Sequence, residues 1–228
     1  MIKNFYDWDR PGAEKAFKRG LDLNPNSEVV HRWYAFFLMT AGRLEEALVE
    51  INRALDLEPL SVVINRDKGH ILYRARQHDR AIEQLQKTLD LDPNFPSAYG
   101  WLVRAYEAKG AYEQAITADL KMITLLGGSA EEVATLREAY TVSGWKGYWR
   151  KRLNLAKENE KRSSYAGPSG LATLYARLGE KNQAFAWLEK SYQERSSGLS
   201  FIKVEPILDG LRSDPRFTDM LQRIGLEP

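Results

Sequence analysis

The sequence predicts an all-α solenoid of antiparallel helix hairpins. Three observations predict it. Prolines close three near-identical strings, LDLNP, LDLEP and LDLDP, at Pro25, Pro59 and Pro93, each 34 residues after the one before. Ala13, Ala47, Ala81 and Ala115 keep the same step. Within one unit apolar residues recur at helical spacing, so Leu44, Ala47, Leu48, Ile51 and Leu55 share a face. A hairpin cannot bury such a face alone, and a period of this length is the mark of hairpins that stack on their neighbours.

Each element has a local reason. Gly42 follows Met39-Thr40-Ala41 and suits a left-handed helix end, where a side chain would be strained. Gly110 holds the same turn position two periods on, with Gln77 at about the intermediate place. The small Ala47 sits where two helices must cross closely. Pro59 follows Leu57-Glu58 and stops the second helix, because proline restricts the residue before it. Three regular units are expected over 28–61, 62–95 and 96–129, so that 28–129 forms the regular part. Two more divergent units are expected over 130–195. The first of these has a helix from Ala130 to Val142, a turn at Gly144, and a second helix carrying Trp149, Leu153 and Ala156. The next begins near Tyr165 and has Leu171, Tyr175, the turn Gly179, then Ala184, Leu188 and Ser191. Gly179 lies 35 residues after Gly144, so one residue has been inserted. Residues 196–228 read as a short polar link followed by a capping helix from about Asp214 to Arg223.

Residues 1–27 read as a partial first unit. Residues 9–23 match the second helix of a hairpin, with Ala13, Phe17 and Leu21 in register, and only Ile2 to Trp8 remain as a partner. The expectation is that the chain begins inside a larger protein. The alternative is that a short first helix or another protomer covers Phe5, Trp8 and Phe17, which makes this end a candidate for homo-oligomerisation.

Composition excludes several chemistries. The 228 residues contain no cysteine, which removes disulfides, thiolate metal sites and thiol catalysis. Lys and Arg number 33 against 31 Asp and Glu, too even a balance for a surface devoted to nucleic acid. No apolar run approaches the roughly 20 residues of a membrane span, and Met1 to Asp9 has no signal-like apolar stretch. The compartment stays open, with the cytoplasm favoured over an extracytoplasmic part of a membrane protein. No catalytic, cofactor or metal site is expected. His31, His70 and His78 are scattered, and no HExxH, phosphate-binding glycine loop or GxSxG elbow occurs. Ser129, after Gly127-Gly128, reads as a helix cap, and Asp90 and Asp92 as the end of a unit.

The early aromatic and small residues Trp33, Tyr34 and Ala35, the glycine turn, the alanine and the closing proline together resemble tetratricopeptide repeats over about residues 9–195. Lys68, where leucine is usual, and the missing alanine of the fourth unit depart from that pattern. GRLEEAL, INRALDLEPLS, ARQHDRAIEQL and LDLDPNF within 42–95, LGEKNQAFAWLEKSYQERS at 178–196 and LRSDPRFTDMLQRIGL at 211–226 are similar to C-terminal repeat regions of bacterial signalling proteins. In those proteins such regions follow winged-helix, protein-kinase or adenylate-cyclase domains. The resemblance implies a right-handed superhelix acting as a sensory or scaffolding module.

It also implies that the first helix of each pair lines a concave face. The outward positions are then Val29, Arg32, Trp33, Phe36, Met39 and Thr40; Val63, Arg66, Asp67, His70, Tyr73 and Arg74; and Ser97, Gly100, Trp101, Arg104, Glu107 and Ala108. Arg32, Arg66, His70, Arg74 and Arg104 form a basic stripe, interleaved with Trp33, Phe36, Tyr73 and Trp101. Arginine and large aromatics dominate buried contacts, so the expected partner is a protein or peptide, free or another domain of the same polypeptide, with acidic and apolar side chains. The asparagines used by the family's peptide-tail binders are missing. The bland reading is that Trp33 packs between hairpins and the arginines pair with Asp67 and Glu107. A second basic stretch, Lys146 to Arg162 beside Trp145, Tyr148 and Trp149, raises nucleic-acid contact, which is disfavoured because Trp149 and Leu153 fit the core.

Overall fold

A computed structural model of the chain describes residues 9–158 and 167–226, and among these every regular element is helical. The all-α solenoid is thus the observed fold. Two compact units divide it, Asp9–Val133 and a second from Ala134 onward.

The first unit holds α1 (Arg10–Leu23), α2 (Glu28–Thr40), α3 (Leu44–Leu57), α4 (Val62–Arg74), α5 (His78–Leu91), α6 (Pro96–Ala108) and α7 (Tyr112–Leu125). The pairs α2/α3, α4/α5 and α6/α7 pack as hairpins, and α3 on α4 and α5 on α6 join one pair to the next. Ala13, Ala47, Ala81 and Ala115 are all buried at the crossings. Gly69 shows why small residues are needed there: an added Cβ would lie 2.6 Å from Leu85 Cγ.

Three-residue turns close the hairpins. In each, the backbone N–H after the turn reaches back five residues to a carbonyl: Arg43 to Leu38, Gln77 to Leu72, Ala111 to Tyr106. The geometry demands a left-handed residue just before that donor. Gly42 and Gly110 supply it at φ 83° and 72°, and between them the position falls on Arg76 at φ 60°, one residue before the expected Gln77. Ser27, Ser61 and Ser129 accept hydrogen bonds from the amides of Val30, Ile64 and Glu132, so Ser129 caps its helix as expected.

A second set of bonds keeps the 34-residue step with changing chemistry. His31 Nε2 donates to the Pro25 carbonyl at 2.8 Å, Asn65 Nδ2 to that of Pro59 at 2.9 Å, and Tyr99 Oη to that of Pro93 at 3.0 Å. Each ties the loop before a hairpin to its first helix. The other end of the side chain is met by the second helix: His31 Nδ1 is hydrogen-bonded to Glu50 Oε2 at 2.6 Å, and Gln84 Nε2 donates to Asn65 Oδ1 at 2.8 Å. Buried polar groups must be paired in this way, and His31 is accordingly a packed core residue.

In the second unit, α8 (Ala130–Glu158, entering from the first unit) breaks at Gly144, whose φ 62° and ψ −159° are not helical. Trp149 stands 34 residues after Ala115, in the slot that alanine fills elsewhere, and is fully buried. The bend at Gly144 fits the different packing this large ring needs. Leu153 is buried too, as is Tyr148. Then come α9 (Pro168–Leu178), α10 (Lys181–Gln193), 3-10 segments at Ser197–Val204 and Pro206–Leu211, and α11 (Pro215–Arg223). The expected polar link after 196 is corrected here. Leu199, Ile202, Val204, Leu208 and Leu211 are all buried, and the two 3-10 segments pack on α10 and α9. Asp214 caps α11 by accepting from the Arg216 amide. Phe5 and Trp8 lie outside the described residues; Phe17 stacks on Tyr34 and packs against Phe37, with centroids 5.7 and 5.8 Å apart.

Candidate protein-binding site

The predicted stripe lies on α2, α4 and α6 of the first unit, which sit side by side. The structure separates its members into two layers. Arg32, Trp33, Arg66, Trp101 and Arg104 are half-exposed. Phe36, His70, Tyr73 and Arg74 are buried, as are Met39, Thr40 and Asp67, so many positions expected to face outward support the surface from beneath.

Asp67 is fully buried and organises the first half of the layer. Arg32, one hairpin away, donates Nε to its Oδ2 at 2.5 Å, and Arg66 Nε lies 3.1 Å from Oδ1. Burial pushes the Asp67 carboxyl upward against the pull of both guanidiniums, and burial also lowers Arg66. Asp67, expected among the outward positions and as a partner of the arginines, is buried and holds the layer from beneath. Arg32 also lies over Trp33, 4.5 Å from the ring centre, and Arg66 faces Phe95 at 5.9 Å. Phe95 is missed by the repeat pattern; its one signal is that it stands 34 residues after the capping serine Ser61.

The other half is built around His70. Its ring stacks on Trp101 with centroids 3.6 Å apart, and Phe36 meets it edge-on at 5.6 Å. Arg74 Nε donates to His70 Nε2 at 2.6 Å. Burial, then the charges of Arg74, Arg66 and Arg104, hold the imidazole well below its ordinary pKa. Trp101 is flanked by Arg104 and Arg74 at 5.1 and 5.6 Å and touches Tyr73 at 5.9 Å. Trp33 is half-exposed and packs on Phe36 of its own helix at 5.6 Å. The arrangement can bind through cation and ring together. A guanidinium lying over an indole keeps its N–H edge for an acceptor while the ring offers apolar area.

The second basic stretch does not assemble a comparable surface among the described residues. Tyr148 and Trp149 are in the core, Arg150 pairs with Glu180, Lys157 lies over Tyr175 and Arg177 over Trp149. Lys161 and Arg162 lie outside the described residues. Among the described residues no group of three His, Asp or Glu side chains is placed to hold a metal, and no helix is long and apolar enough to cross a membrane.

Stacked helix hairpins with a left-handed turn every 34 residues define an α-solenoid. Residues 66–130 match the tetratricopeptide repeat family. The fold is also that of a tetratricopeptide repeat protein from Parabacteroides merdae, with TM-score 0.53 and 17% identity over 98% of this chain and 90% of that one. Yeast Tom70 superposes with TM-score 0.53 and 17% identity over 92% of this chain, which spans 46% of Tom70. No curated protein matches the sequence.

Proposed function

We propose that the chain is a non-catalytic protein-binding module whose contact surface is the α2–α4–α6 layer. Its ligand is a protein segment bearing acidic and apolar side chains. The observation that carries this reading is a pair of half-exposed arginine–tryptophan stacks, Arg32 on Trp33 and Arg104 on Trp101, set on either side of Arg66. The half-exposed guanidiniums of Arg32, Arg66 and Arg104 stand on this face beside Glu107, with Arg74 and the Asp67 carboxylate buried beneath them. Rigid helices present these groups with little ordering left to do on binding. The likeness of 178–196 and 211–226 to signalling proteins supports a regulatory role beside an output domain in a larger bacterial protein.

The test is binding of acidic peptides with one central aromatic residue, read by tryptophan fluorescence and calorimetry, to wild type and to an R66A/R104A variant. Loss of two anchor arginines is expected to weaken binding about 10–100-fold. Equal affinity for both proteins, with helix content intact, would discard the surface.

A further inference from the structure

The buried layer beneath this surface contains a histidine whose hydrogen bonding depends on its charge. We propose that His70 is a proton-operated switch for the binding surface, which is competent while the imidazole is neutral and is dismantled when it is protonated.

The argument starts from one hydrogen bond. Arg74 Nε is a permanent donor, so the His70 nitrogen it meets at 2.6 Å must be an unprotonated acceptor. The ring is therefore neutral, with its hydrogen on Nδ1. Protonation puts a second hydrogen on the nitrogen that Arg74 already occupies. Two donors then face each other, the bond is lost, and two cations stand in direct contact. Among the described residues the charges that lower His70 are Arg74 and Arg66 of its own helix α4 and Arg104 of α6. From α2 it meets the Phe36 ring, and Arg32 of that helix is held by Asp67. Asp67 is taken up by Arg32 and Arg66 one turn away. His70 is also 3% exposed, so water cannot solvate the new charge unless the layer opens.

Opening would reach the surface directly. His70 lies flat on Trp101, and Arg74 and Arg104 flank the same indole. Moving the imidazole thus removes the support under one of the two arginine–tryptophan stacks. Histidine is the side chain whose charge ordinarily changes in this pH range. His78 is half-buried and serves as an internal comparison.

The consequence for binding rests on the proposed surface; the switch itself does not, so the two are measured separately. Tryptophan emission of the ligand-free protein is followed from pH 8 to 4.5 for wild type, His70→Gln, His78→Gln and Trp101→Phe, with helix content tracked by circular dichroism. Glutamine at 70 keeps an acceptor for Arg74 and cannot titrate; His70→Asn replaces it should the glutamine variant not fold. Wild type and His78→Gln are expected to show a reversible emission change below pH 6.5 with helix content retained. His70→Gln and Trp101→Phe are expected to lack it. The same change in His70→Gln, or none in wild type above pH 4.5, overturns the switch. In the second arm the acetylated peptide Glu-Glu-Phe-Glu-Glu is titrated into wild type and His70→Gln over the same range. Each pH unit below the transition should cost wild type about tenfold more affinity than the variant. Parallel losses overturn the coupling, whereas no binding at pH 7.5 by either protein discards the surface and leaves the emission result to decide the switch.

Discussion

Arg76 carries the left-handed turn that glycine carries at 42 and 110. An L side chain in that region is strained by about 1 kcal/mol or more. Arg76→Gly is therefore expected to stabilise the protein by about 0.5–1 kcal/mol, and Gly110→Ala to destabilise it by a similar amount. Denaturant melts of the two variants check the opposite signs. His31 and Glu50 make a second residue-scale case. They occupy the positions that Asn65 and Gln84 occupy one unit later. The double change His31→Asn with Glu50→Gln should then restore a satisfied pair and stay within about 1 kcal/mol of wild type, whereas His31→Ala should cost about 2 kcal/mol or more by leaving Glu50 Oε2 and the Pro25 carbonyl without the imidazole, with Glu50 Oε1 still held by Arg53. Equal losses from both would contradict the equivalence.

At the scale of elements, Trp149 is the instructive side chain. It fills an alanine slot, and the chain around it is rebuilt by the break at Gly144. Trp149→Ala is expected to cost about 3–5 kcal/mol, more than any of the repeat alanines could, because a large cavity opens under Arg177, which lies over its ring. Urea titration with circular dichroism reads this directly. The helix ends are the most legible part of the sequence. Pro25, Pro59 and Pro93 stand two residues beyond α1, α3 and α5, so local chemistry announces where those helices stop. The 3-10 segments after Ser196 are illegible because the spacing of their buried residues slips between Ile202 and Val204, which leaves Leu199 and Ile202 on one side and Val204, Leu208 and Leu211 on the other as runs too short to announce a helix. The layering of the binding surface is hidden for another reason. Periodicity places Phe36, His70 and Tyr73 on the same helix faces as Trp33 and Trp101, but burial is decided by what packs over a face. No repeat pattern along one chain records that.

Across the whole molecule, acid should be the weak side. Hydrogen bonds from Arg43, Lys87 and Arg223 hold Glu14, Glu46, Glu83 and Glu189 below the usual carboxylate range, and Arg216 lowers Asp214 to about 2. Their unfolded values lie at about 4. The stabilisation is complete above those values and is lost as pH falls through the folded ones. His70 and His78 act in the same sense, since both are lowered by burial and must charge when the chain unfolds. Their contribution is present above about pH 6.5 and fades below it. Asp67 runs the other way, because burial raises it. The melting temperature should therefore hold from pH 8 to 7, start to fall below about 6.5 and fall faster below about 4.5. A melting temperature that rises on acidification to pH 5 would refute this balance.

The bonds from His31, Asn65 and Tyr99 to the prolines before them have one more consequence. Each spans six residues and joins the proline that closes one unit to the first helix of the next, and the acceptor is always a backbone carbonyl. Imidazole, amide and phenol all fill the donor role, and a unit that ends in the same proline offers each of them the same carbonyl. A stack jointed in this way can gain or lose a whole cassette without a compensating change elsewhere. The number of hairpins, and with it the reach of the array, is a quantity that duplication can alter in a single step.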